Sequence, residues 1–221
     1  MLLAEVKRFL IHLLYQNNKN NMYRVLCLLV CLTGDLYAAE HVGKVINTNG
    51  DVFIIDANDS KRNLFKGDFL YTQDKIQTLN NSFVLFETNN QQSFTLYQNT
   101  TFTLNDYRYS PQTPELTTLK FELIDGTLRV NNLSANFKNT NFIKASFFNI
   151  ETTLADYILE ANSQNGLIRV NNGSVRILGD MANTLVSQGQ TFEITANNLP
   201  KPTIKVISPI PTFENKTIIK E

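Results

Sequence analysis

Cysteine is scarce in this chain: the 221 residues hold two, Cys27 and Cys31, both inside one short apolar run. Without that run there is no thiol, hence no disulfide, thiolate metal site or cysteine nucleophile. Histidine occurs only at His12 and His41, and neither stands in metal-ligand spacing or beside a nucleophile motif. Tryptophan is absent, and neither sign of charge dominates: 20 Lys and Arg balance 20 Asp and Glu. That balance removes the electrostatic basis for gripping nucleic acid. Neither a nucleophile elbow nor a phosphate-cradling glycine loop is present. The expectation is a protein with no catalytic residues, cofactor or metal.

Glycine is sparse as well, nine in all, and its placement is informative. Asn49-Gly50, Asp125-Gly126, Asn165-Gly166 and Asn172-Gly173 each precede a short run in which apolar and polar residues tend to alternate. Such dipeptides accept the positive φ of tight two-residue turns, so each predicts a reversal between strands. Gly67 with Asp68, and Gly189, mark two further turns. Leu119, Phe121 and Leu123, resumed by Leu128 and Val130, form a period-two stripe. Gly126, Arg129, Val130, Asn131 and Asn132 recur at the same spacing as Gly166, Arg169, Val170, Asn171 and Asn172. The expected fold is all-β, short antiparallel strands in a sandwich or a short stacked, solenoid-like array. Residues 107 to 118, with Pro111 and Pro114, read as a loop.

The ends read differently. Residues 1–21 form an extension with one apolar helical face, and translation starting at Met22 would make them an upstream mis-call. Residues 22–39 have the order of a secretory signal: Arg24, the apolar Val25 to Leu32, then small residues, with cleavage after Ala38 or Ala39. Eight apolar residues are too few to remain as a span, which takes about 20. Membrane contact is thus expected only through the signal before cleavage. Residues 40–198 are the β domain, and 199–221, with Pro200, Pro202, Pro209 and Pro211, a proline-rich extended tail.

Placed in order, these elements resemble the FecR domain. The opening pair Val42-Gly-Lys-Val45 and Gly50-Asp-Val-Phe53 is similar to the family's first strands. Leu64-Phe-Lys-Gly-Asp-Phe-Leu70 and Asp74-Lys-Ile-Gln-Thr78 resemble its "leucine, glycine-aspartate, leucine … aspartate-x-isoleucine-x-threonine" stretch. Leu123 to Val130, Asn172 to Ile177 and Gln188-Gly-Gln190 complete the series. The likeness spans roughly residues 42 to 194. Leu154 to Glu160 departs from it, lacking the usual arginine-glycine-threonine step. The resemblance implies a stand-alone exported form without the cytoplasmic anti-sigma region, periplasmic or secreted in a Gram-negative bacterium.

Two functions fit that expectation: recognition of or signalling to an envelope protein, or alternatively binding of envelope polysaccharide or peptidoglycan. Tyr97, Tyr107 and Tyr109 near loops are candidate surface anchors. Arg129, Arg169 and Arg176 occupy like positions in the strand units, either as a basic ladder for an acidic partner or as an ordinary solvated face. Asp56, Asp59, Asp68, Asp74, Glu87 and Asp106 are acids of the type that hydrolyse glycosides. Asp68 and Asp74 are better read as turn residues bonding nearby amides. Phe83, Phe86, Phe94, Phe102 and Phe121 are expected in the core.

Overall fold

The computed structural model describes residues 41–110, 112–113, 117–133, 140–178 and 183–196. The expected signal, its cleavage site and the proline-rich tail lie outside the described residues. Fifteen strands and no helix are found within them. In order they are β1 (His41–Asn49), β2 (Val52–Ile55), β3 (Lys61–Asn63), β4 (Phe69–Tyr71), β5 (Lys75–Thr78), β6 (Phe83–Thr88), β7 (Ser93–Leu96) and β8 (Thr101–Arg108). Then come β9 (Thr118–Asn131), β10 (Asn141–Ala145), β11 (Phe148–Thr152), β12 (Ala155–Ala161), β13 (Asn165–Leu178), β14 (Thr184–Ser187) and β15 (Thr191–Thr195).

Pairing arranges them in two layers. The front layer runs β4-β1-β6-β7-β9-β12-β13-β15. The back layer runs β3-β2-β5-β8-β9-β10-β11-β13-β14. Both 14-residue strands, β9 and β13, belong to the two layers at once, one half in each. Through them β9, β10, β11, β13 and β12 close a hydrogen-bonded ring, which gives the sheet a barrel-like closure. Every pairing is antiparallel except β9 with β10.

Glycine makes this possible, though not as the hairpin rule expects. Gly50 (φ +74), Gly126 (φ +108) and Gly173 (φ +76) each sit where the chain leaves one layer for the other. They are corners, not reversals: β1 passes through Gly50 into β2, while Gly126 and Gly173 bend β9 and β13 in mid-strand. A Cβ at Gly126 would lie 2.5 Å from the Thr100 Cα, so the corner is closed by backbone as well as by φ. Two corners share a latch. Thr127 N–H donates to Thr100 Oγ1 at 2.9 Å, and Asp51 N–H donates to Ser82 Oγ at 2.8 Å. Gly166 differs from the expectation: it lacks a positive φ and lies inside β13. The reversal before it is made by Asn162, whose Oδ1 accepts from Gln164 and Asn165 N–H. Gly67 and Gly189 do form turns with positive φ.

The core lies between the layers and is built on alternation along each strand. Phe86 and Phe94, abreast on β6 and β7, stack at 5.0 Å. Phe94 meets Phe121 of the back layer edge-on at 5.0 Å and Phe102 at 5.9 Å, joining the two faces with ring pairs. Phe83 is the exception to the expected core. It is half-buried on the outer side of β6 with Leu85, because Val84 and Phe86 take the inward phase.

Candidate functional site

Strand register, read across the front layer, sets Leu85, Thr95, Arg129, Ile158, Arg169 and Thr191 abreast on its outer side. Ile158 is an apolar side chain on the wrong side of its strand. It stands outside the core cluster yet is only 8% exposed, because Arg129 and Arg169 flank it directly on the neighbouring strands. Arginine stems cover apolar surface while keeping their heads in water. Arg129 is fixed by a two-pronged pair with Asp156, at 2.9 Å from Nε to Oδ1 and 2.8 Å from Nη2 to Oδ2. That bond, against partial burial, raises the hold of the guanidinium on its proton, with Tyr97 contributing further. Beside this row a groove of about 400 Å³ is walled by Phe83, Tyr97, Gln98, Ile158, Glu160 and Arg169.

Three of the six candidate anchors therefore converge: Tyr97, Arg129 and Arg169. Arg176 does not join them. Gly173 carries β13 into the back layer, where Arg176 sits 3.6 Å from Glu151 beside a separate concavity of about 320 Å³. The three arginines thus form no continuous ladder. Tyr107 is not a surface anchor: it is 1% exposed, inside the core, and its hydroxyl bonds Asn90. The cause is a bulge. Three steps along β8 from Thr103 to Asp106 match two along β9 from Glu122 to Lys120, and the extra residue turns Tyr107 inward. Tyr109 is half-buried against the core.

The acids lie apart from this groove. Asp56 accepts from Asn58 and Ser60 N–H, and Asp106 pairs with Arg108 at 3.0 Å. Asp68 accepts from Phe65 N–H and pairs with Arg62, while Asp74 accepts from Tyr71 N–H at 2.7 Å. Each caps an amide three residues back, the turn chemistry expected of both. Burial works against the Asp68 carboxylate, but Arg62 and the Phe65 amide outweigh it and its pKa is lowered. At Asp74 burial prevails over the Tyr71 amide and raises the pKa. Among the described residues no three His, Cys, Asp or Glu side chains are grouped to hold a metal ion.

Sequence reading missed Phe83, Gln98, Ile158 and Glu160. One signal was available for Ile158: Asp156, Ile158 and Glu160 share a phase, and an isoleucine between two acids marks an apolar point on a polar face.

No sequence profile of a known family matches the chain, and no curated protein does. The fold is similar to that in two crystal structures, at 1.65 and 2.50 Å resolution, of a candidate anti-sigma factor from Parabacteroides distasonis. The likeness covers 59% of this chain and 58% of that one, at 10% identity and a TM-score of 0.47. This chain therefore matches less than two thirds of the length of that protein.

Proposed function

We propose that the chain is an exported, non-enzymatic FecR-type β domain that recognises a protein partner in the bacterial envelope, and that the outer side of its front layer is the docking face. One observation carries this reading: Phe83, Tyr97 and Ile158 line one groove on a side that the second layer does not cover, with Arg129 and Arg169 on either side of Ile158. Protein interfaces favour aromatic and arginine side chains around an apolar centre. The sheet edges are poorer candidates for strand addition at one end. β3 and β4 have three residues each, and β3 carries Lys61 and Arg62, features that blunt an edge. The order of FecR-like motifs and the signal-like residues 22–39 support the family and export parts of the proposal.

The test is photo-crosslinking in the producing bacterium with benzoyl-phenylalanine at Ile158, and at Leu185 of the back layer as a control. The expected result is a discrete protein adduct from position 158 alone. No adduct, or the same adducts from both positions, removes the face from consideration. The polysaccharide reading is weakened by the burial of Tyr107, which takes away one of its stacking platforms.

A further inference from the structure

Arg169 differs from every other arginine on the sheet faces. The ion pairs of the described residues engage Arg62, Arg108, Arg129, Lys144 and Arg176, leaving Arg169 outside them. Its Nε is buried and bonds nothing, and its side chain lines the groove together with Phe83, Tyr97 and Ile158. Glu160 lines the same groove and is likewise in no ion pair. A guanidinium presents a planar fork of donors whose geometric complement is a carboxylate. Arg129 already has that complement in Asp156, and Arg169 has the same need unmet.

We propose that this groove receives an extended, carboxylate-bearing peptide segment of a partner protein, lying across β7, β9, β12 and β13 with its carboxylate on Arg169. The inference rests on the front layer being a protein-docking face. Four strands span about 15 Å, the length of about five extended residues. An apolar side chain of the segment rests on Ile158 between the two arginine stems. Phe83 and Tyr97 close one end, and Glu160 accepts a main-chain N–H. A peptide suits the groove better than a neutral sugar does, because the guanidinium of Arg169 calls for a carboxylate.

The experiment uses the whole 221-residue chain, isotope-labelled, observed by amide NMR during three titrations. The probes are an end-blocked nine-residue peptide of alternating aspartate and valine, its lysine–valine counterpart, and a chitin-type tetrasaccharide. The aspartate peptide alone should give saturable shifts centred on Tyr97, Ile158 and Arg169. Arg169→Gln should weaken it roughly tenfold or more, and Arg169→Lys by less, since a point charge survives without the fork. Arg176→Gln, in the other layer, should leave it unchanged. Equal binding of the lysine peptide, binding by Arg169→Gln within about twofold of the native chain, or shifts of these residues by the tetrasaccharide instead, overturns the proposal. A cross-link from position 158 that persists in Arg169→Gln overturns the carboxylate assignment while leaving the docking face intact. Absence of any cross-link from position 158 in the otherwise native chain overturns both.

Discussion

Alanine at Gly126 meets two obstacles, and alanine at Gly67 meets one. Both glycines have positive φ, +108 and +94, so a side chain at either is penalised by about 1–2 kcal/mol for backbone conformation alone. At Gly67 an added Cβ finds nothing within 4 Å, and no further term arises. At Gly126 it would lie 2.4 Å from Thr100 Oγ1, 2.5 Å from Thr100 Cα and 2.7 Å from the Asn99 carbonyl oxygen. The last two are backbone atoms that no rotamer change can move, so overpacking adds about 1–3 kcal/mol. Prying the corner open also strains the Thr127–Thr100 bond, which adds about 1 kcal/mol. The total for Gly126→Ala is about 3–6 kcal/mol, against about 1–2 kcal/mol for Gly67→Ala. With a urea dependence of about 2 kcal/mol per molar, the midpoint falls by about 1.5–3 M in the first case and about 0.5–1 M in the second. Gly43→Ala supplies the steric effect alone, because Gly43 has no positive φ but a Cβ there would sit 2.1 Å from the Glu87 carbonyl oxygen. Urea unfolding followed by far-ultraviolet dichroism and tyrosine fluorescence measures all three. Equal midpoint shifts for Gly126→Ala and Gly67→Ala, at unchanged slope, would refute the closed corner and with it the mid-strand crossing of β9.

Tyr107→Ala, the substitution that a surface-anchor reading treats as harmless to the fold, should instead destabilise by about 3–5 kcal/mol as a core truncation. Tyr107→Phe should cost only about 1–2 kcal/mol for the bond to Asn90, and urea midpoints separate the two. Asp74 supplies a pH test. Its folded pKa is raised above the ordinary 3.8 by burial, so the folded state holds the proton more tightly and the group favours folding at low pH. That advantage is lost as pH rises from 3.8 through the raised value. Asp74→Asn removes the titration, so the variant should gain on the native protein between about pH 3 and about pH 7. A gap that stays constant over that range counts against the burial assignment. A double-mutant cycle on Arg129→Met and Asp156→Leu should return a coupling of about 1–2 kcal/mol, reduced from that of a fully buried pair because the Arg129 side chain is 37% exposed.

The strand content was legible because period-two alternation is a local signal, and Leu119 to Val130 carries it clearly. The meaning of the glycines was only half legible. A hairpin turn and a layer-crossing corner demand the same positive φ, so Asp125-Gly126 reads alike in either. What separates them is whether the following strand pairs with the preceding one or continues it, and that is decided by partners far along the chain: β8 and β10 hold the first half of β9, β7 and β12 the second. Asn165-Gly166 misled in the opposite direction. It repeats the corner's residues, but Phe148 occupies the space over Gly166, 2.4 Å from where a Cβ would be. Glycine is needed there for room and not for φ.

The same limit explains which parts of the proposed docking face could be read. Arg129 and Arg169 were found because their strand units repeat. Their adjacency to one apolar residue depends on β12 lying between β9 and β13, so that Ile158 faces Arg129 on one side and Arg169 on the other. Residues 154–160 mark Ile158 as an apolar point between two acids, but nothing local to them announces which strands lie on either side. Arg176 illustrates the converse, since it is spaced from Gly173 as Arg129 is from Gly126, and both glycines are corners. The bend at Gly126 delivers Arg129 to the front layer, while the bend at Gly173 delivers Arg176 to the back, because β9 and β13 cross in opposite senses. Repetition in the sequence therefore identifies the outward-facing arginines, and the direction of each crossing decides which of them can act together. A partner that engages Arg129 and Arg169 through one segment cannot reach Arg176 with it, which is why substitution at Arg176 serves as the internal control for any ligand of the front face.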